Sequence, residues 1–238
     1  SEMCIRDSIY SSMNTASTAK VAKVAKVSTG PVPRLLRGPN ALREIAALIC
    51  EAGVVALDVE TFGQRKNDGL DPWRGDIRLL SLCVEGHEPW LLDLQATGYD
   101  LGPLAPALAD AEVIAHNLKF DALWLRVKCG VKLQRVFCTL TAARLLVAGT
   151  RPGNDLDRCL ERYLGIAPAS DQSCSDWGGM FLTDDQLAYA GRDVRHLHAL
   201  RAKLIDEIAA DALAAVAQLE MQLLPVVVEM EAAGLAVD

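Results

Sequence analysis

Two acidic residues interrupt an otherwise apolar stretch of this 238-residue chain, Val54-Val55-Ala56-Leu57-Asp58-Val59-Glu60. The apolar residues predict a buried β-strand, and the two-residue repeat of a strand places Asp58 and Glu60 on the same face. Neighbouring carboxylates repel each other and resist burial unless a cation neutralises them. Because all the ligand atoms would be oxygens, Mg²⁺ or Mn²⁺ fits such a site better than zinc. The alternative is a solvated acidic pair at the end of a strand.

Two further pairs of polar residues have the four-residue spacing that brings side chains together on one helical face. Asn117 and Asp121 span the predicted start of a helix, where Asn117 could instead be an ordinary cap. Tyr189 and Asp193 lie within a later predicted helix, where the alternative is a half-buried tyrosine beside an unrelated surface aspartate. Each pair has such a structural explanation when taken alone, so only their combination supports a functional prediction.

Hydrophobic patterning predicts an α/β fold with a mixed five-stranded sheet flanked by helices. Short connections join the first three strands and favour an antiparallel meander, whereas helices separate the later strands, which we expect to be parallel. The predicted strands cover residues 54–60, 77–84, 89–94, 113–116 and 136–138. The predicted helices cover residues 40–52, 103–110, 120–129, 139–148, 155–164, 183–208 and 211–233.

Composition narrows the class of protein without identifying it. The net charge of −7 argues weakly against a nucleic-acid-binding domain, although a metal site would itself concentrate carboxylates. The cysteines are scattered and form no Cys-x-x-Cys pair, which indicates reduced thiols in a cytoplasmic protein rather than a zinc site. No apolar run approaches the roughly 20 residues that span a membrane. The Ser/Thr/Lys-rich residues 1–31 are expected to be a disordered leader.

In chain order, the three pairs resemble the three motifs of the DEDDy 3′→5′ exonucleases, a family that includes RNase D and the proofreading domain of family A DNA polymerases. The matching segments are Leu57-Asp58-Val59-Glu60-Thr61, His116-Asn117-Leu118-Lys119-Phe120-Asp121 and Tyr189-Ala190-Gly191-Arg192-Asp193-Val194. Ser175-Asp176-Trp177 also resembles the family's approach to its third motif. The sister group has a histidine where this chain has Ala188, so Tyr189 indicates the tyrosine subclass.

The resemblance implies a ribonuclease H-like fold for residues 32–210 and a metal-dependent 3′→5′ exonuclease that uses two divalent cations, Mg²⁺ or Mn²⁺. The residues that it implies as metal ligands and catalytic groups are Asp58, Glu60, Asp121 and Asp193, with Tyr189 orienting the attacking water. Contacts with the terminal nucleotide are implied for Thr61, Phe62 and Asn117. One departure is Gly191, where family members often carry alanine. A glycine within a helix is expected to loosen it slightly.

The last residues resemble the junction between the exonuclease and polymerase domains of family A polymerases. There a helix leads into Met-Glu-x-x-Gly, an apolar pair and Asp, as in Met230 to Asp238. Residues 211–238 are therefore expected to be a helix and the start of a truncated polymerase domain, with a generic amphipathic helix as the alternative. This context favours the single-stranded 3′ end of DNA as substrate. An RNase D-like exoribonuclease and a non-catalytic nucleic-acid-binding module on the same fold are the alternatives.

Overall fold

The computed structural model describes residues 33–36, 39–150, 152–169 and 171–234. Its strands are β1 (Arg34–Leu36), β2 (Val54–Phe62), β3 (Asp76–Cys83), β4 (Trp90–Asp93), β5 (Glu112–Ala115) and β6 (Arg135–Cys138). They form one sheet in the order β1-β4-β3-β2-β5-β6. The pairs β2–β3 and β3–β4 are antiparallel, and the other three pairs are parallel. The mixed α/β sheet is therefore confirmed, and β1 is an additional strand. The predicted leader lies outside the described residues.

Helices cover both faces of the sheet. They are α1 (Pro39–Ala52), α2 (Leu94–Thr97), α3 (Leu104–Asp110), α4 (Leu118–Cys129), α5 (Thr139–Leu146), α6 (Leu156–Leu164), α7 (Asp184–Arg195), α8 (Leu197–Ala210) and α9 (Ala214–Ala233). The helix predicted over residues 183–208 is in fact two helices, α7 and α8, which meet at His196. Thr183 and Gln186 form a capping box at the start of α7. Across the described ranges, no helix is long and apolar enough to cross a membrane.

The two faces of the sheet carry separate hydrophobic clusters. On one face, apolar residues of α1, α3 and α4 pack on β-strand residues that include Leu57, Leu80 and Val113. On the other face, helices α5, α6 and α8 pack on Ala56 and Ile114. A third and smaller cluster lies beneath α7 and contains Leu79, Leu91, Trp177 and Ala190. In β2, Asp58 and Glu60 lie on the same face of the sheet as Ala56, because they alternate with Leu57, which faces the first cluster.

A β-bulge in β3 changes which face its first residues occupy. Glu60 pairs with Leu79 and Thr61 pairs with Ile77, so Arg78 is an extra residue opposite β2. Ile77 therefore joins the same hydrophobic cluster as Leu80, three positions away, although regular alternation would put them on opposite faces. The bulge directs Arg78 to the α7 side, where its guanidinium donates to the carbonyls of Trp177 and Gly179.

Gly191 in α7 has a packing role. An added Cβ at this position would lie 2.1 Å from Cγ of Pro33, which is far inside van der Waals contact. The residue therefore lets the start of the described chain pack directly on α7, beside the turn that carries Tyr189 and Asp193. The expected loosening of the helix is thus offset by a close contact that alanine would prevent.

Helix α9 docks on α4 and on the β6 edge of the sheet. Three ion pairs join it to the domain, Lys119–Glu231, Arg126–Glu229 and Lys132–Glu229. The Cys138 backbone N–H also approaches the Met221 sulfur at 3.1 Å. The helix predicted for residues 211–233 is present, and the residues expected to begin a polymerase domain, 235–238, are outside the described ranges.

The cysteines only partly follow the expectation of reduced thiols. Cys174 is disulfide-bonded, so the prediction is wrong at that position. Free thiols are present at Cys50, Cys83, Cys129, Cys138 and Cys159. Burial raises the pKa of Cys83, Cys129 and Cys159 to about 11, so these three are inert packing residues at neutral pH.

Candidate active site

Strand β2 and helix α7 bring three carboxylates to one centre. Asp58 and Glu60 project from the same face of β2, and Asp193 projects from α7, which packs over that face. One carboxylate oxygen from each residue can be chosen so that all three lie within 4.8 Å of one another. This separation suits ligands of a shared cation, and two of these side chains are the strand pair that alternation predicted.

The fourth acidic residue, Asp121, is placed differently from the other three. It lies in the first turn of α4, is 2% exposed, and its Oδ1 accepts a 3.1 Å hydrogen bond from the Val59 backbone N–H. Strand β5 pairs with β2 only as far as Ala56, so the later part of β2 is free to receive Asp121. The hydrogen bond fixes Asp121 beside Asp58, and its negative charge contributes to the raised pKa of the Asp58 carboxyl.

The site concentrates negative charge that no cation of the described residues balances. Burial, followed by repulsion from neighbouring carboxylates, raises the pKa of Asp58, Glu60 and Asp193, and burial also raises that of Asp121. Among the residues that the structure describes, Arg192 is 4.0 Å from Asp193 but only 2.6 Å from Asp157, with which it pairs. Burial of like charges without a counter-ion is unfavourable, so the arrangement calls for a positive ligand.

The donor atoms fit a hard divalent cation. All the converging ligand atoms are carboxylate oxygens, which Mg²⁺ and Mn²⁺ prefer. Ser81 lies directly opposite Asp58 in the β2–β3 pair, and its buried hydroxyl has no hydrogen-bond partner among the described residues. A polar group orphaned beside the carboxylates is what a site built for a hydrated ion would contain.

Tyr189 contacts the carboxylate cluster directly. Its hydroxyl forms a hydrogen bond with Asp193, one helical turn further along α7. Burial and the surrounding carboxylates raise the pKa of the Tyr189 phenol well above its ordinary value, so the side chain remains a neutral phenol. Its ring centre lies 6.4 Å from that of Trp177, which is buried and fixes the ring from the side.

The three residues predicted to contact substrate are near the acidic residues in sequence and differ in the contacts that they already make. The Thr61 hydroxyl already donates to the Gly69 carbonyl, so it can meet a substrate only as an acceptor. Phe62 is partly buried against the small cluster that includes Trp177. Asn117 precedes α4 in the left-handed conformation (φ 64°), and its side chain makes no capping hydrogen bond. The ordinary cap considered for Asn117 is therefore not what the structure contains.

His116 and Arg78 are structurally important residues for which the sequence pattern assigned no role. Nε2 of His116 lies 2.9 Å from the Asn154 carbonyl and Nδ1 lies 2.9 Å from the Thr139 hydroxyl. Burial lowers the pKa of His116 to about 4, so the imidazole is neutral at pH 7 and joins two segments of the chain through its ring nitrogens. Arg78 holds the segment before α7 from within the sheet. A charged residue between apolar neighbours in a strand was the signal available in the sequence. It does not indicate which face of the sheet the Arg78 side chain occupies.

Comparison with known proteins agrees with this geometry. Residues 34–209 match a family model described as 3′-5′ exonuclease. The chain is 29% identical over 169 residues to DNA polymerase I of Aquifex aeolicus, covering 71% of this chain and 26% of that protein. It is 26% identical over 185 residues to ribonuclease D of Desulfotalea psychrophila, covering 77% of this chain and 47% of that protein.

A solved relative shares the fold. NrnC of Brucella melitensis, in its structure bound to pGG, superposes with a TM-score of 0.69 at 26% identity, covering 77% of this chain and 87% of NrnC. NrnC has also been solved with bound Mg²⁺. The fold is the ribonuclease H-like exonuclease fold, and the chain belongs to the 3′-5′ exonuclease family. It is thus a hydrolytic nuclease domain whose carboxylate cluster fits divalent-metal use. It spans about a quarter of the polymerase I relative and about half of the ribonuclease D relative.

Proposed function

We propose that this protein removes nucleotides one at a time from the 3′ end of single-stranded DNA, as the proofreading part of a polymerase I-like protein. The observation that carries the nuclease chemistry is the convergence of Asp58, Glu60 and Asp193, with the Tyr189 hydroxyl bonded to Asp193. The predicted substrate contacts are Thr61 and Phe62, which follow Glu60 in β2, and Asn117, which lies one helical turn before Asp121. The predicted cytoplasmic location accords with a nucleic-acid substrate.

The site residues would hold two divalent cations, Mg²⁺ or Mn²⁺. We assign Asp58, Glu60 and Asp193 as direct ligands, because their oxygens converge. Asp121 would act from the far side of Asp58, with its Oδ1 held by the Val59 N–H. Bound divalent cations supply the positive charge that activates water near neutral pH and stabilises the leaving 3′ oxygen.

The remaining steps depend on the protein's own groups. Hydrolysis forms a bond between the water oxygen and phosphorus and breaks the bond from phosphorus to the 3′ oxygen of the preceding nucleotide, which leaves with a proton. The products are a nucleoside 5′-monophosphate and a strand shortened by one nucleotide. As a neutral phenol, Tyr189 is suited to orient the water through its oxygen rather than to remove a proton from it.

The choice of DNA rests on the polymerase I relative and on the junction-like sequence that ends helix α9. The second candidate, an RNase D-like exoribonuclease, is favoured by the ribonuclease D relative. We place DNA first because the segment Met230 to Asp238 resembles the junction between the exonuclease and polymerase domains of family A polymerases.

The test compares matched single-stranded DNA and RNA oligonucleotides of the same sequence, each labelled at the 5′ end, with Mg²⁺ or Mn²⁺. Stepwise shortening of DNA with a larger kcat/KM than RNA supports the proposal. A larger kcat/KM for RNA would instead indicate an RNase D-like exoribonuclease. Binding of either strand without shortening under both metals would indicate the non-catalytic module.

A further inference from the structure

Two loops meet at Phe62, the residue that ends β2. The first, residues 63–75, joins β2 to β3 and, with Phe62 and Asp76, borders a cavity of about 470 Å³ whose wall includes Gln64, Arg65 and Arg74. The second, residues 176–182, precedes α7 and touches Phe62 from the other side. A Cβ on Gly178 would lie 2.9 Å from the Phe62 ring. Both loops therefore flank a residue that adjoins the carboxylate centre.

The two loops present aromatic and cationic side chains to solvent. Met180 and Phe181 are 82% and 80% exposed, the highest values among large apolar residues in the described part of the chain. Trp73, on the first loop, is 57% exposed. Exposed aromatic rings near arginines form the kind of surface that single-stranded nucleic acids occupy, with bases on the rings and phosphates on the cations.

The arginines of the cavity are available for a ligand. Arg65 takes part in no ion pair within the described ranges, and its hydrogen bonds there, both with Asp68, are made by its backbone N–H and carbonyl. Arg74 lies 3.3 Å from Asp71, but its side chain is 73% exposed, so this is a weak surface pair. Asp76, on the cavity wall, is paired with Lys128 at 2.8 Å, which reduces its repulsion of an anion.

The second loop is held in place although its tip is exposed. The buried guanidinium of Arg78 donates to the Trp177 carbonyl at 3.3 Å and to the Gly179 carbonyl at 2.5 Å. The next residues are Met180 and Phe181, whereas Leu182 returns to the hydrophobic cluster beneath α7. An apolar pair displayed on an anchored backbone is typical of an interaction site rather than of a frayed loop.

We propose that these loops form a subsite for the substrate strand beyond its terminal nucleotide, with a base stacked on Phe181 and phosphates on Arg65 and Arg74. The inference rests on the proposed nuclease function and extends it to the next nucleotides of the strand. A single strand fits because its bases are unpaired and can stack, and because stacking and charge together do not require a particular sequence.

The first experiment compares an oligonucleotide with the p-nitrophenyl ester of thymidine 5′-phosphate, which has a cleavable phosphodiester but no neighbouring base. Phe181→Ala should lower kcat/KM for a five-nucleotide DNA strand relative to that for the ester by about 5- to 150-fold, the range for losing one base–aromatic stack. Phe181→Trp should restore the ratio. The control is Leu219→Ala, on the exposed face of α9.

The second experiment measures the charge contribution. The double variant Arg65→Gln/Arg74→Gln should flatten the plot of log kcat/KM for the strand against log salt concentration by about 1.4, because each phosphate contact on a single strand contributes roughly 0.7. Arg43→Gln is the matched control, since Arg43 is exposed on α1, which packs on the opposite face of the sheet.

The outcomes separate this subsite from the nuclease function itself. If the unmodified protein hydrolyses neither the ester nor the strand, the proposed function fails. If it hydrolyses both, but Phe181→Ala changes both equally or neither, and the salt dependence of the arginine variant is unaltered, the subsite is overturned. Equal losses on both substrates would indicate that the loop only supports Tyr189 and Phe62.

Discussion

Two buried ionic groups lie on the same face of the sheet, one strand apart, and they differ in how their charge is balanced. Arg78 of β3 and Asp93 of β4 form a buried ion pair, with Nε 3.5 Å from Oδ1, and the guanidinium also donates to two carbonyls. The carboxylates of β2 and α7 have the opposite character. They gather like charges, and within the described ranges the cation beside them, Arg192, pairs with Asp157.

The difference separates a structural ion pair from a binding site. A buried charge that has an ion-pair partner and accepting carbonyls stabilises a particular arrangement of the chain, and removing one member of such a pair is costly. A cluster of like charges destabilises the protein that contains it until a ligand of opposite sign binds. The two groups should therefore respond to neutralising substitutions with opposite signs in stability and with very different effects on activity.

The largest effect is expected for loss of a carboxylate from the cluster. Asp58→Ala and Asp193→Ala should each lower the rate of oligonucleotide shortening by on the order of 1,000-fold, because several kcal/mol of charge stabilisation is lost. Steady-state rates with Mg²⁺ measure the loss, and circular dichroism checks that the fold survives. Asp206→Asn, at an exposed position of α8, is the control. Undiminished activity in either variant would refute the site.

The structural pair should show its effect in stability. Arg78→Met removes the buried cation paired with Asp93 and the donor to the Trp177 and Gly179 carbonyls, and should destabilise the protein by about 3–5 kcal/mol, measured by urea denaturation. The double variant Arg78→Met/Asp93→Leu should recover only the part of that loss due to the broken ion pair, because the Trp177 and Gly179 carbonyls still lack their donor. A single variant as stable as the unmodified protein would show that the two buried groups do not differ as argued.

Tyr189 should matter less than the carboxylates, because the metal ligands remain in its absence. Tyr189→Phe should lower kcat by roughly 10- to 100-fold, in the range for groups that orient a metal site's contents. The apparent affinity for Mg²⁺ should change little. Tyr163→Phe, on α6, is a matched control outside the site. A loss as severe as that of Asp193→Ala would instead make the phenol indispensable to metal binding.

The smallest effect is expected for the stability of the metal-free protein when Glu60 is neutralised. Burial and neighbouring carboxylates raise the pKa of Glu60, so the folded protein holds that proton more tightly than the unfolded chain. Metal-free protein should therefore lose stability as pH rises from about 4 through the folded pKa of Glu60. Glu60→Gln should remove part of that loss and raise the Tm in EDTA at pH 7 by about 2–4 °C, equivalent to roughly 1 kcal/mol.

Calorimetry in EDTA and then in Mg²⁺ completes this measurement. Mg²⁺ should raise the Tm of the unmodified protein more than that of the Glu60→Gln variant, because the variant has one ligand charge fewer. Glu51→Gln, exposed on α1, should leave both temperatures unchanged. A lower Tm for Glu60→Gln in EDTA would mean that Glu60 has a compensating partner.

Most of the fold could be predicted because its elements carry their own periodicity. Strand β2, helix α4 and helix α6 show clear apolar repeats, and Gly130 and Gly165 end the two helices in the left-handed conformation. Strand β1 was missed because its three residues are ordered by pairing with β4, a contact that no local pattern reveals. The division between α7 and α8 was missed because His196 is neither glycine nor proline.

The residues that form the site could be predicted from the sequence, but their full arrangement in space could not. The strand period puts Asp58 and Glu60 on one face, and the helix period does the same for Tyr189 and Asp193, whereas the meeting of the two pairs was implied only by the resemblance to the exonuclease motifs. The hydrogen bond from Val59 to Asp121 was not foreseeable, because it depends on where β5 stops pairing. The direction of Arg78 was also unpredictable, since regular alternation assigns it to the opposite face from the one that the bulge gives it.

That bulge makes β3 sensitive to length in a way that its composition does not suggest. Deleting one residue at Arg78 would restore regular pairing with β2 while removing the cation that anchors the loop before α7. Inserting one more would shift Ile77 out of the apolar core. When related chains are aligned, a gap in β3 therefore indicates that side chains have moved from one face of the sheet to the other, and not that a loop has changed length. Moving the gap by one position alters which residue is compared with Arg78.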